Sequence, residues 1–464
     1  LDELRRSDFS RLDDAGHHYF DYTGAGLPAQ RQLDAIRDLL SQQVLGNPHS
    51  QNPTSAPATA LVEEARSRVL DYFGATDHEC IFTANASGAL KLVGEAFPFD
   101  VDRPFLLTAD NHNSVNGIRE FARRAGAPVA VAPLELPGLS VRPEVLTGLL
   151  EQPAGERSGL FAYPAQSNYS GLQHPLSWVA DARTRGWRVL LDTAAFVPTN
   201  RLDLSVVQAD FVCVSFYKMF GLPTGVGALI ARRDALAELR RPWFAGGTIS
   251  MASVAADDHR LTPGHAGFED GTSNFGSIPA VTFGLELIET MGIDSIHDRV
   301  VAATSHLLRS FDEMSHANGE PVVKVLGGVG NTPRGGTITF NVFDPGGVMV
   351  HDRVVTGAAS KVGISLRSGC FCNPGCGEAA RGLTAGDIAP LFQRDVVPDF
   401  CDLDDRMWTL RGSGASALRA SVGWVTNGAD LSVLIEFLAG FIDRPATSWV
   451  APEPGSRATS PDAP

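Results

Sequence analysis

Two charged residues stand where apolar runs stop. Val189–Leu191 ends on Asp192, and Phe211–Val214 ends on Ser215-Phe216-Tyr217-Lys218; a third run, Val226–Ala231, follows a Gly/Pro turn. Such runs predict parallel strands that deliver polar side chains to one edge of a sheet, where open α/β sheets bind their ligands. Lys218 is one of only four lysines (Lys91, Lys218, Lys324, Lys361) among 38 basic residues. Arginine cannot stand in where a neutral amine is required, because guanidinium stays protonated. An acid and a lysine on neighbouring strand ends suit pyridoxal phosphate. The lysine forms a Schiff base, and the carboxylate keeps the pyridine nitrogen protonated so that the ring acts as an electron sink. The pair also suits a loop cap and a surface lysine, and the two residues alone leave both readings open.

The elements that must position them come next. Ala84-Asn85-Ala86-Ser87-Gly88-Ala89 lies between a predicted strand, Cys80–Thr83, and a predicted helix, Leu90–Phe97. A small-residue turn opening into a helix presents unpaired N–H groups to a phosphate, and Ser87 adds a hydroxyl. It is neither a Walker loop nor a G-x-G-x-x-G turn, and a simple helix start fits it as well. Further strands are expected at Phe105–Thr108, Val129–Ala132 and Leu160–Tyr163, with polar clusters such as Asp110-Asn111-His112-Asn113 and Gln166-Ser167-Asn168 nearby. Their alternation with helices indicates a large α/β domain. After helical stretches at Ile278–Met291 and Ile296–Met314 the texture changes. Thr337–Val342, Ile364–Arg367 and Ala417–Val422 read as strands and Val350–Val362 as a helix of a smaller α+β domain. The expected division is an N-terminal segment (1–50) packed on the small domain, a large domain (51–292), the small domain (293–443) and a linker-like tail (444–464).

A net charge of −15 argues against nucleic acid or an anionic membrane as partner. No apolar run approaches the ~18 residues of a membrane span, and no signal-peptide core opens the chain, so a cytoplasmic protein is expected. Six cysteines, three within Cys370–Cys376, do not make a disulfide framework. The C-x-C-x3-C spacing lacks the paired C-x2-C of zinc sites and a fourth ligand, so no metal is expected. A first residue other than Met and a Pro/Ala/Ser-rich tail from Arg444 suggest covalent neighbours in a larger polypeptide. A trimmed chain would look the same.

Several strings are unusual enough to identify a family. YFDYTGAG (19–26), GNPHSQN (46–52), FTANASGALKLVGEAFPF (82–99), DNHNSV (110–115), YPAQSNYSG (163–171), LLDTAAFVPT (190–199), SFYKMFGLPTGVGALI (215–230) and RSGCFCNPG (367–375) occur in order. The chain resembles the pyridoxal-phosphate domain of molybdenum cofactor sulfurases, in the superfamily of class V aminotransferases and cysteine desulfurases. The resemblance implies fold type I, with a large, mostly parallel seven-stranded sheet. It assigns Lys218 to the Schiff base, Asp192 to the pyridine nitrogen, and His112 to a stacked position on the ring. Asn168 is placed near the phenolic oxygen and the substrate, and Ala86, Ser87, Ser215 and Tyr217 around the phosphate. Thr272 is placed at the phosphate of a second subunit, which implies a homodimer. Arg419 would grip the substrate carboxylate, a bidentate task suited to guanidinium. Cys372 would take sulfur from the substrate and should lie exposed near positive charge, with Arg367 five residues away. The stretch Gly377–Ser416 departs from the pattern and is expected to shape access to the site.

The implied activity is cleavage of the Cβ–S bond of L-cysteine or an S-substituted cysteine. Two outcomes diverge: a desulfurase that passes sulfur to Cys372, or a C–S lyase domain of a biosynthetic protein such as a polyketide synthase. The lyase would release thiol or hydropersulfide, pyruvate and ammonia.

Overall fold

The computed structural model describes residues 1–48, 50–151, 158–328, 332–393 and 399–448. The expected tail therefore lies outside the described residues beyond Ser448, as do His49 of the GNPHSQN loop and 394–398 of the departing stretch.

Seven strands make the central sheet: β1 (His78–Thr83), β2 (Phe105–Thr108), β3 (Val129–Ala132), β4 (Leu160–Pro164), β5 (Arg188–Asp192), β6 (Phe211–Ser215) and β7 (Gly227–Arg232). Their order is β1-β7-β6-β5-β4-β2-β3. Neighbours from β6 across to β3 are parallel. The inner strands β4, β5 and β6 are buried throughout except at Arg188, as strands covered on both faces must be. Successive residues feed opposite layers. Phe161, Leu191 and Val212 join one apolar cluster, while Leu160, Leu190 and Cys213 join the other.

One expectation fails here. The run after Lys218 is antiparallel to both of its neighbours, β6 and β1. The stretch 216–226 is too short for the crossover that a parallel partner needs, so the chain reverses and β7 returns beside β6.

Helix boundaries shift for local reasons. The helix α1 begins at Ala86 rather than Leu90 and runs to Ala96, because Asn85 caps it by accepting from Gly88 N at 2.9 Å. The small-residue loop is thus the helix's first turn. The short helix α2 (Phe216–Phe220) follows β6 directly and stops at Gly221, whose φ of +79° is left-handed.

Beyond α3 (Ala280–Met291) and α4 (Ile293–Glu313) lies a second sheet of β8 (Val323–Val325), β9 (Thr337–Val342), β10 (Arg367–Gly369) and β11 (Ala417–Ser421). It is antiparallel throughout, in the order β8-β9-β11-β10. Val300, Leu307 and Phe311 of α4 and Leu434 of the helix Gly428–Ala439 pack against its Phe340 and Leu418. The strand expected at Ile364–Arg367 divides. Ile364–Ser365 pairs in parallel with His18–Tyr19 near the N-terminus, and Arg367 opens β10. The N-terminal segment also reaches the large sheet's side. Gly26 N donates to Tyr217 O at 2.9 Å, and a Cβ at Gly221 would lie 2.2 Å from Pro28 N.

Gly227 is where β7 passes the capping loop of α1: a Cβ there would meet Asn85 Cα and Val214 O at 2.6 Å. Both neighbours are backbone and cannot swing aside. Gly227→Ala should cost about 1–3 kcal/mol in urea unfolding. Gly148→Ala, with nothing within 4 Å of the added Cβ, should cost nothing measurable. Equal stabilities for the two variants would show that the approach of β7 to Asn85 is not close in solution.

Candidate active site

Neighbouring strand ends bring the first pair together. Asp192 ends β5 in register with Cys213 of β6, and three residues past the end of β6 comes Lys218 in α2. Both line a cavity of about 140 Å³ together with Asn85, Ala86, Ser87, His112, Ser114, Gln166, Asn168, Ser215 and Tyr217. Eight positions expected from sequence therefore converge: Ala86, Ser87, His112, Asn168, Asp192, Ser215, Tyr217 and Lys218. Asp192 is buried, accepting from Ala194 N at 3.0 Å and from the Cys213 thiol at 3.4 Å. That thiol is pushed well above its ordinary pKa by burial and by the carboxylate, so it stays a donor. Lys218 opens onto the cavity, yet its amine lies deep enough that burial lowers its pKa. Asp192 opposes that shift, and Arg419 adds to it.

The opposite end of the cavity is a helix N-terminus. Ser215 Oγ accepts from Ala86 N at 2.9 Å, tying the end of β6 to the first turn of α1. Ser87 Oγ lies 2.6 Å from Ser114 Oγ. His112 caps the short helix Asn113–Asn116 through Nδ1, which accepts from Ser114 N at 3.1 Å. Burial lowers the His112 pKa, as do Lys218 and Arg419, against the pull of Asp192. The neutral imidazole is thereby favoured, on a side chain that lines the cavity.

The cysteine loop is pinned to this cavity from the small-sheet side. Asn168 Nδ2 donates to Phe371 O at 2.7 Å, Asn113 N to Cys372 O at 2.7 Å, and Asn373 Nδ2 to Asp110 O at 2.6 Å. Phe371 and Cys372 both adopt left-handed backbone, with φ of +55° and +52°. Non-glycine residues take that conformation at a cost that the surrounding hydrogen bonds must cover. Cys372 is exposed, Cys370 half-buried and Cys376 buried. Arg367, expected near this thiol, grips Asp21 through Nε and Nη2 at 2.9 and 2.6 Å. Lys218 and Arg419 both feel the nearby Cys372. Arg419 is buried, stacks its guanidinium 4.7 Å from the Phe371 ring centroid, and also pairs with Asp21.

Thr272 is not in this cavity. It lines a separate space of about 360 Å³ with Thr83, Lys91, Glu95 and Gly225. Among the described residues, the only His/Cys/Asp/Glu trio with ligand atoms within 4.8 Å of one another is His351, Asp352 and Asp404, which includes none of the three clustered cysteines. Sequence reasoning missed Asn85, Ser114, Gln166, Cys213 and Asp21. Asn85, as an N-cap before small residues, carried a readable signal. Cys213 and Asp21 act through strand register and a contact across the whole chain, which no local pattern encodes.

A family model for class-V aminotransferases matches residues 18–386. The molybdenum cofactor sulfurase of Solanum lycopersicum is 36% identical over 470 residues, covering 94% of this chain and 57% of that protein. The one from Homo sapiens is 36% identical over 483 residues, covering 98% and 52%. The chain thus spans little more than half the length of these curated relatives. Among solved structures, the apo cysteine desulfurase of Thermococcus onnurineus NA1 superposes with a TM-score of 0.78 at 22% identity, covering 95% of this chain and 97% of that one. The cystine C–S lyase C-DES, in complex with its product cysteine persulfide, gives 0.69 at 19% identity, covering 94% and 100%.

The fold is that of fold-type-I pyridoxal-phosphate enzymes. The chain belongs to the class-V aminotransferase family, and its cofactor is pyridoxal phosphate. The donor set fits that group: a helix N-terminus with two serine hydroxyls for a phosphate, a buried carboxylate for a ring N–H, and a desolvated amine for an aldehyde.

The depressed Lys218 pKa has a stability consequence. Between the folded and unfolded pKa values the unfolded chain holds a proton that the folded chain has released, so stability falls as pH falls through that window. Measured by urea unfolding without cofactor, the wild type should lose ground to Lys218→Met as pH drops from ~10, by at most about 1.4 kcal/mol per pH unit. The difference should level off once the folded pKa is passed. A flat difference from pH 10 to pH 6 would mean that Lys218 keeps ordinary basicity.

Proposed function

We propose that this chain cleaves the Cβ–S bond of L-cysteine or an S-substituted cysteine and passes the sulfur to Cys372. The observation that carries this reading is an exposed thiol on a loop hydrogen-bonded to Asn168 and Asn113, beside the cavity of Lys218 and Asp192. When bound, the cofactor supplies an electron-poor ring conjugated to the substrate's Cα. Asp192 would keep the ring nitrogen protonated. Ala86, Ser87, Ser215 and Tyr217 hold the phosphate at the start of α1. His112 would lie against the ring as an aromatic plate, and Asn168 would orient the phenolic oxygen and the substrate. Lys218 would hold the cofactor covalently through its neutral amine, and the same amine, freed when substrate is bound, would take the Cα proton. Its lowered pKa makes the neutral form available at lower pH. Arg419 grips the α-carboxylate.

Cys372, as thiolate, attacks the substrate sulfur. An S–S bond forms as the Cβ–S bond breaks and its electron pair stays on Cβ; one proton delivered to Cβ and the return of the Cα proton from Lys218 complete alanine. Thr272 serves a partner copy's phosphate across a homodimer interface, a role supported by its place in a cavity apart from Lys218.

The deciding measurement is product identity. Wild type should convert L-cysteine to alanine, and Cys372→Ala should make none while still binding substrate, because Lys218, Asp192 and Arg419 remain. Pyruvate and ammonia as main products, with little loss in Cys372→Ala, would replace the desulfurase reading with the C–S lyase. Arg419→Lys keeps the charge but loses the planar fork. It should lower kcat/KM by a factor equivalent to about 1.5–3 kcal/mol, chiefly through KM. Normal turnover in that variant would place the carboxylate elsewhere.

A further inference from the structure

Arg419 and Arg367 stand directly opposite each other on β11 and β10. Like charges at opposed positions of an antiparallel pair repel. What separates them is Asp21, brought from the N-terminal segment by a bridge to Ser421 of β11. Its Oδ1 accepts from Arg419 Nη2 at 3.0 Å and from Arg367 Nε at 3.1 Å; its Oδ2 accepts from Arg367 Nε at 2.9 Å and Nη2 at 2.6 Å. The carboxylate lies over Gly24, where a Cβ would meet its oxygens at 2.6 and 2.8 Å. Glycine there leaves it room.

The two arginines differ. Arg367 keeps 51% of its side chain exposed, so water stabilises its charge; Arg419 keeps 4%. Burial and Arg367 both lower the Arg419 pKa; Asp21 is the main group that opposes them, with Cys372 adding a smaller pull. Arg419 Nη1 donates to Asn168 O at 3.1 Å, while Nε is buried with no partner. A buried guanidinium with an unmade hydrogen bond is poised for one more acceptor.

We infer that Asp21 occupies Arg419 in place of the substrate's carboxylate and hands it over when substrate arrives. This rests on reading Arg419 as the holder of the α-carboxylate. Before binding, Asp21 keeps Arg419 charged and oriented. As the α-carboxylate docks, it takes the Nε and Nη donors of Arg419, and Asp21 remains neutralised by its contacts to Arg367. Asp21 is thus a positioning residue that competes with every carboxylate entering the site. It weakens bare carboxylates and the amino-acid product alike, and Arg367 sets how readily it yields.

The test uses holoenzyme and propionate, which has the carboxylate and no amine to react with the cofactor. Affinity is read as a thermal shift against sodium chloride at equal ionic strength. Asp21→Asn should melt lower without ligand and bind propionate about tenfold tighter than wild type. Arg367→Ala, at an exposed position, should bind it more weakly, because Asp21 then rests on Arg419 alone. With L-cysteine, Asp21→Asn should lower KM without raising kcat. A purely structural Asp21 would give a lower melting temperature with no gain in propionate affinity, and that result overturns the handover. Should Asp21→Asn fail to fold, unchanged or tighter propionate binding in Arg367→Ala overturns it as well. A propionate shift that survives Arg419→Ala rejects the carboxylate reading of Arg419, a separate failure.

Discussion

The central constraint is a lysine amine held among protein atoms at the end of a sheet. Burial disfavours its charge, and Asp192 on the adjacent strand favours it. A surface lysine would be protonated at all working pH values and could not serve as nucleophile or base. A lysine without Asp192 would have nothing to hold a cofactor's ring nitrogen. The parallel register of β5 and β6 sets both conditions at once, since it delivers the two side chains to one edge without any loop having to fold first. The left-handed Gly221 then stops α2 two residues after Lys218 and lets the N-terminal turn close over it. The site is therefore built on strand ends and a helix start, the parts of the fold least free to move.

The cysteine loop obeys a different rule. On the proposed desulfurase reading its thiol would have to reach a substrate in the cavity while remaining open to whatever accepts the sulfur, and Cys372 is indeed exposed where Lys218 is not. Asn168 resolves this by facing both ways. It lines the cavity, and its side chain fixes the loop by donating to Phe371 O and accepting from Asn373. The two left-handed residues store strain at the tip of the loop. Hydrogen bonds from the large sheet's side keep that strain in place, which couples the position of Cys372 to the packing of the two sheets.

What the sequence made legible was local. Apolar runs ending on Asp192 and Lys218, the small-residue start of α1 and the motif strings sufficed for the class of fold and for eight cavity residues. The antiparallel β7 was missed because a short apolar run carries no direction; only the length of its connection does. The helix start at Ala86 was misplaced because small residues suit both a loop and a first turn, and the side chain of Asn85 decides between them. The contact of Arg367 with Asp21 was not foreseen. Five residues from Cys372 in sequence, Arg367 is turned by the pairing of β10 with β11 toward Asp21, 346 positions away.

That last miss shows where electrostatic argument from sequence fails. Proximity along a chain says little about which charges meet, because strand register alternates side chains between faces and brings remote segments to the same face. Arg419 feels Asp21, Arg367 and Cys372 together, and these come from the N-terminal segment, the facing strand and the cysteine loop. Its chemistry is thus a property of the junction between the two sheets. A buried guanidinium there must keep a counter-charge whether or not substrate is present, since an unpaired buried ion costs several kcal/mol. The fold meets that need with a carboxylate of its own, held by a second arginine that water can reach. On the proposed role of Arg419, a substrate carboxylate would enter a site already shaped for one.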